Sequence, residues 1–471
     1  MPVSSTLDEL EEFLRAGVDP ATAPSVAYGI SRGNETVLLG ASGLADKERG
    51  VVATTETPYS LASVTKPMTA TAVAILADRG LIDLDAPINR YLGDAKVEAM
   101  VGDAELATVR RIASHTSGLP THYQFFYEDE PYRAPAMPET IRRYAKLYDP
   151  PGERYQYSNI GYGLLDYLVE QVSGQPFAKF MAEEVFGPLG MAHSSIAASG
   201  GEALSYGKED GVAYPRYSFD HPGASAAFAS VADLLAFGRS HLGLGPQLLS
   251  PARRLDMQWS TAEVGGTWGY GFGWGVNEDR LGVRTVGHSG GMSGVNTVLV
   301  MAPEQELVIA ILVNGQSSLP FQGADNALGA LLPSCLEQLI AERSAPPVKK
   351  LFPGASFEYW KCWQGTIQTY CGDFPLCLTI EKPSVATAII EGQPYAVEDI
   401  EVRDGRLTCK FDGQVPAPDA NRREHRIQLD LKLREDRLCG AALAVTKFDG
   451  EGGGAPGNRR GNSLSYWVAL E

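Results

Sequence analysis

The sequence predicts an α+β protein, an antiparallel sheet flanked by helices with an all-α insertion, followed by a small antiparallel β-barrel. Three observations carry this reading. Strand-like alternation brackets a long helical stretch in the first 343 residues, and helical patterns stand at both ends of that part. Past Ser344-Ala345-Pro346-Pro347-Val348-Lys349-Lys350 the texture changes to short alternating segments set off by Gly, Pro and Asp turns. Two prolines disfavour helix and two lysines favour water, so residues 344–356 are expected to link a domain over 1–343 to a barrel over 357–471.

Each element has a local reason. Thr6 with Glu9 forms a capping box that opens an N-terminal helix, and residues 25–30 and 36–40 flank the turn Arg32-Gly33-Asn34-Glu35 as a hairpin. Helical spacing follows over 65–79 and 160–173, and Ser230-Val231-Ala232-Asp233 caps a helix over 234–241. Residues 283–287, 295–301 and 307–313 read as three consecutive antiparallel strands, and 324–342 as one closing helix. Barrel strands are expected over 366–370, 377–380, 388–390, 407–411, 426–433 and 465–470, with 450–462 a mobile loop.

Composition excludes several classes. A net charge of −17 argues against unaided binding to nucleic acid or to an anionic membrane, both of which need basic patches. The N-terminus has no basic and apolar leader pattern, and the longest aliphatic run, 307–313, is far short of the ~20 residues a membrane helix needs. A cytoplasmic protein is expected. Cys335, Cys362, Cys371, Cys377, Cys409 and Cys439 all lie in the last third, without the paired short spacings of a zinc site, and are expected to be reduced thiols acting as small apolar strand residues.

Three dispersed motifs carry chemistry. Ser63-Val64-Thr65-Lys66 enters a helix, which sets Lys66 one turn after Ser63 on the same face; a desolvated lysine there can take the serine proton, and Pro67 is tolerated in a first turn. On spacing alone Ser63 also fits an ordinary N-cap. Tyr157-Ser158-Asn159 follows the turn Asp149-Pro150-Pro151-Gly152-Glu153; Tyr157 can share a proton with Lys66 and Asn159 can bond the lysine or a substrate carbonyl, while packing and helix capping are the plainer roles. His288-Ser289-Gly290-Gly291 ends a strand. Its glycines permit close backbone approach, and the N–H of Gly291 with that of Ser63 can form an oxyanion hole; a simple turn and a structural histidine fit equally.

Together, over roughly residues 5–342, these motifs resemble the penicillin-recognising serine hydrolases, the group of class C β-lactamases, D-aminopeptidases and β-lactamase-like esterases. His115-Thr116-Ser117-Gly118-Leu119 and Tyr270-Gly271-Phe272-Gly273-Trp274-Gly275 add to the likeness. The resemblance implies Ser63 as nucleophile, Lys66 and Tyr157 as general base and acid, Ser63 and Gly291 as oxyanion donors, and Asn159, His288, Ser289 and Gly290 as substrate-binding residues, with no cofactor and no metal. It departs from the group at His288, where lysine usually precedes Thr-Gly and attracts a substrate carboxylate. A neutral imidazole supplies no fixed charge, so hydrolysis of another ester or amide is expected. Transfer of the acyl group to an amine or alcohol, as in a peptide-cyclising thioesterase, and a non-turnover binding module are the alternatives. The segment Tyr123 to Tyr132 is expected to wall the pocket with aromatic and acidic groups, unless it is a solvated loop. The C-terminal segment resembles, through Trp363-Gln364-Gly365 and strand texture, the lipocalin-like barrel of some D-aminopeptidases and penicillin-binding-protein-type peptide cyclases.

Overall fold

A computed structural model describes residues 3–207, 211–344, 359–382, 385–447 and 461–471. Most of the expected linker, 345–356, and most of the expected loop, 450–460, lie outside the described residues.

Six of the longer helices among the described residues frame the first part: α1 (Leu7–Ala16), α2 (Thr65–Asp78), α3 (Asn159–Ser173), α4 (Val231–Leu242), α5 (Leu319–Leu331) and α6 (Pro333–Ser344). Thr6 Oγ1 accepts the N–H of Glu9 at 3.2 Å, but the Glu9 carboxylate takes the N–H and hydroxyl of Ser5, each at 2.7 Å, so only half of the expected capping box forms. The single closing helix expected over 324–342 is two. Pro333 removes a helical donor, and Leu332 before it is extended at φ −131°, ψ 104°.

The sheet comprises β1 (Ser25–Arg32), β2 (Glu35–Asp46), β3 (Val51–Val52), β4 (Ala262–Gly265), β5 (Trp268–Tyr270), β6 (Gly275–Arg280), β7 (Val283–Met292), β8 (Val295–Ala302) and β9 (Leu307–Val313), in the order β4-β5-β6-β7-β8-β9-β1-β2-β3 and antiparallel throughout. Strand β9 is apolar at every position because both sheet faces are covered. Val308, Ala310 and Leu312 pack with residues of α4, while Leu307, Ile309, Ile311 and Val313 pack with α1 and α5. The segment between the sheet halves is helix-rich rather than wholly helical, since short strands such as Phe125–Tyr127 and Tyr217–Phe219 pair across it.

The C-terminal part is a nine-stranded, nearly closed barrel: β10 (Cys362–Thr369), β11 (Gly372–Lys382), β12 (Val385–Ile390), β13 (Gln393–Ala396), β14 (Glu398–Arg403), β15 (Arg406–Phe411), β16 (His425–Arg434), β17 (Arg437–Thr446) and β18 (Ser463–Leu470). Except for β13 and β14, neighbours in sequence are neighbours in the sheet; β18 pairs back onto β10, and the two edge strands β13 and β14 are separated by Val397 alone, so the ribbon curls around its core. All six cysteines are free; Cys409 and Cys439 are buried strand residues as expected, but Cys335 is helical and Cys362 and Cys371 are exposed. Among the described residues no helix is long and apolar enough to cross a membrane.

Candidate active site

Ser63 sits in a single 3₁₀ turn, Ala62–Val64, that feeds α2. The turn is held on both sides. The Leu61 N–H donates to Ala227 O (2.9 Å), Thr297 Oγ1 donates to Leu61 O (2.8 Å), and Thr65 Oγ1 donates to Ala62 O (2.7 Å). These bonds keep Ala62 at φ +47°, a left-handed conformation that costs an alanine energy and that leaves Ser63 partly exposed at the start of the helix.

Lys66, one turn on, is fully buried. Its Nζ lies 2.7 Å from Asn159 Oδ1, 3.1 Å from Ala224 O and 3.1 Å from Ser63 Oγ. Burial drives its pKa well below that of an ordinary lysine. In the free-base form its two hydrogens go to Asn159 Oδ1 and Ala224 O, which can only accept, and the lone pair is left for the one neighbour able to donate, the Ser63 hydroxyl. Asn159 is free for this because Ser158 takes the cap of α3, its hydroxyl accepting the Gly161 N–H at 3.3 Å.

Tyr157 lies with its ring centroid 4.7 Å from Lys66 Nζ, and the nearby Ser63 hydroxyl works against the rise that burial gives its pKa. Burial raises its pKa, so the phenol keeps its proton at neutral pH. The loop that carries it is fixed by His115, which takes φ +60°, accepts the Ser158 N–H on Nδ1 (3.1 Å) and stacks its ring 4.4 Å from that of Tyr157. The bond to Ser158 puts the proton of His115 on Nε2, which is buried without a hydrogen-bond partner among the described residues, inside a cage of Tyr155, Tyr157, Tyr162 and Tyr270.

The third motif belongs to β7, which runs five residues beyond the expected end. Its ladder with β6 covers Gly275–Gly287 to Arg280–Val283, whereas His288 to Met292 pair with β8. Gly290 is obligatory there, since a Cβ would lie 2.2 Å from Leu61 O and 2.3 Å from Thr297 Oγ1; its absence lets β7 pass beside the Ser63 turn. His288 Nδ1 is 2.6 Å from Ser289 O and Nε2 is 2.9 Å from the Tyr270 hydroxyl. A carbonyl cannot donate, so Nδ1 carries the proton and Nε2 accepts from Tyr270. Burial and the nearby Lys66 hold the pKa of His288 down to about 3. The expected substrate donor is thus spent inside the protein, and the imidazole offers a neutral wall.

Tyr155, Tyr157, Trp268, Tyr270, His288 and Ser289 line one end of a cavity of about 680 Å³. On the other side of the Ser63 turn, Phe125, Tyr127, Phe219, Met292 and Val295 pack against Ala62. Phe125 and Tyr127 of the expected wall are thus buried in this cluster and do not line the cavity, and the acidic Glu130 is ion-paired with Arg423 of the barrel.

Residues 10–333 match the Beta-lactamase family. The chain belongs to that family. Its members are serine hydrolases. Among curated relatives, the chain is 26% identical over 339 residues to the unguisins hydrolase of Aspergillus campestris, a match covering 67% of this chain and 63% of that protein, thus under two thirds of the relative's length. It is 30% identical over 304 residues to the esterase EstB of Burkholderia gladioli, covering 55% of this chain and 77% of that one. Among solved structures, the octameric penicillin-binding protein homologue from Pyrococcus abyssi superposes with a TM-score of 0.59 at 20% identity, covering 99% of this chain and all of the other, barrel included.

Sequence reasoning brought together Ser63, Lys66, Tyr157, Asn159 and the third motif. It missed Ala224, whose carbonyl orients Lys66. A main-chain acceptor leaves no residue-type signal; only the small-residue run Gly223-Ala224-Ser225-Ala226 hinted at a close turn. The sequence places His115 and Tyr270 in accessory motifs, and the structure gives them contacts with Tyr157 and His288.

Proposed function

We propose that the protein forms an acyl ester on Ser63 and hydrolyses it, acting on an ester or amide. The observation that carries this reading is the fully buried Lys66 amine, held by two obligate acceptors and 3.1 Å from Ser63 Oγ. In this reading the Lys66 lone pair takes the Ser63 proton as Oγ attacks the carbonyl carbon, the N–H groups of Ser63 and Gly291 bind the oxyanion, and the Tyr157 phenol protonates the leaving group. The proton on Lys66 then passes to the Tyr157 phenolate; water attacks the acyl ester and loses its proton to Lys66 as Tyr157 protonates the departing Ser63 Oγ, and the same return of the proton from Lys66 to Tyr157 restores both groups. Asn159 orients the lysine.

Neutral His288 supports a substrate that brings no carboxylate to that wall, which favours simple esters and amides over penicillin-like acids. The test is direct. A fluorophosphonate labels the protein and a p-nitrophenyl ester is turned over, both lost in Ser63→Ala, while nitrocefin is left intact. Labelling that persists in Ser63→Ala contradicts the assignment, and rapid nitrocefin hydrolysis contradicts the substrate class.

A further inference from the structure

Two of the contacts between the barrel and the hydrolase part lead to the proton-handling groups. The first contact is an ion cluster around Asp149, a carboxylate 3% exposed. Asp149 Oδ1 accepts from Arg406 Nη1 (2.8 Å) and Arg434 Nη2 (2.9 Å), both of the barrel, and Oδ2 accepts from Arg154 Nε (2.8 Å). Asp430 of β16 ties Arg406 and Arg154 together at 2.8 and 3.0 Å, and Glu153 pairs with Lys432 and Arg434. Residues 149–153 are the turn that leads to Tyr157. The turn is braced against the His115 strand of chain, with Gly152 N–H on Thr116 O (2.7 Å) and Gln156 N–H on His115 O (2.7 Å), so the position of Asp149 is passed to the phenol.

The second contact reaches the acceptor of Lys66. Barrel Asn462 Oδ1 accepts the Phe125 N–H (2.8 Å), Ser463 pairs with Tyr123, and Arg422 Nη2 donates to Phe125 O (3.0 Å). Between them Gln124, its amide turned to satisfy both neighbours, accepts from Arg422 Nη1 (2.9 Å) and donates to Asp220 Oδ2 (3.1 Å). The buried Asp220 also bonds His122 Nε2 (2.9 Å) and His221 Nδ1 (2.6 Å). His221 opens the turn Pro222–Ser225, whose Gly223 N–H is held by Asp166 (2.6 Å) and whose Ala224 O receives Lys66.

We propose that the C-terminal barrel is a scaffold for the acylation chemistry, with Arg406 and Arg434 positioning Tyr157 through Asp149, and Arg422 positioning the Lys66 acceptor through Gln124 and Asp220. None of the three touches the reacting atoms. They act by fixing geometry, and misplacement of a proton-handling group by about 1 Å costs up to ~10²-fold in rate. The inference rests on the roles given to Lys66 and Tyr157 above.

The experiment uses the full chain, p-nitrophenyl acetate turnover and fluorophosphonate labelling. Arg406→Gln/Arg434→Gln and Arg422→Gln are expected to lower kcat about tenfold or more with KM within about threefold, and Arg406→Lys/Arg434→Lys to recover part of the loss. Lys410→Gln, which breaks the barrel's own pair with Asp399, is expected to stay within about twofold. Folded Gln variants with kcat within about twofold of the unsubstituted chain overturn the proposal, as does an equal loss in Lys410→Gln. If the double variant does not fold, Asp149→Asn, which keeps the side-chain shape, carries the same expectation and the same refutation. Ser63→Ala separates the two readings: if it still turns over the ester, the active-site assignment falls, and if it is dead while the arginine variants are unimpaired, only the scaffold falls.

Discussion

Lys66 and Asp149 are both buried ionisable groups, and the molecule treats them in opposite ways. Asp149 shares its oxygens among three guanidinium groups; burial pushes its pKa up, but Arg154 and Arg406 pull it further down, so it stays charged. Lys66 has only neutral acceptors around it, Asn159 Oδ1, Ala224 O and Ser63 Oγ, and burial alone decides its state. Paired burial makes a fixed joint between two parts of the chain. Unpaired burial makes an amine that gives up its proton far more readily than an ordinary lysine, 3.1 Å from a hydroxyl. The same desolvation serves docking in one place and reactivity in the other.

This contrast can be broken by substitution. Ser63→Ala and Lys66→Met are each expected to lower p-nitrophenyl ester hydrolysis by about 10³-fold or more, because nucleophile and base act as a unit. The two buried centres should then part company in stability. Asp149→Ala is expected to cost about 3–5 kcal/mol in chemical denaturation, since three cations lose their shared anion. Lys66→Met is expected to raise stability while abolishing activity, because a desolvated amine without a counter-charge is replaced by an apolar chain of similar length. A loss of stability in Lys66→Met would place the lysine with the structural charges.

The smallest effect concerns His241, buried against Phe237 and Trp274, whose burial holds its pKa at about 3. Between pH 6.5 and about 3 the unfolded chain binds a proton there that the folded chain refuses, so stability rises with pH and is lost on acidification, by about 1.4 kcal/mol per pH unit for one group. His241→Phe should flatten that part of the stability–pH curve, as read by urea midpoints at pH 4, 5 and 6. An unchanged slope would show that His241 titrates normally.

Much of the hydrolase part was legible because local chemistry and tertiary packing agree there. The period-two and period-3.6 patterns placed α2, α3, β8 and β9 within a residue or two, and the three motifs converge as their residue types suggested. What was lost has physical reasons. Strand β7 outran its expected end because Gly290 and Gly291 are poor strand formers by composition, yet Gly290 is required by the close approach to Leu61. Strand β17 was missed because Leu438 to Val445 includes Gly440 and three alanines, which give no β-branched alternation and become a strand only through pairing with β16 and β18. The bond of His288 to Tyr270 was not legible, since the two residues are distant in sequence and only the fold brings them together.

The protonation state of Lys66 is the claim on which the account rests, and the pH dependence of fluorophosphonate labelling at Ser63 measures it most directly. The rate constant should rise with pH along a single-proton curve to a plateau, with a midpoint well below the ordinary lysine value of about 10.5. A rate that keeps climbing with pH to a midpoint near 10.5 would show an ordinary ammonium at Lys66 and contradict the account.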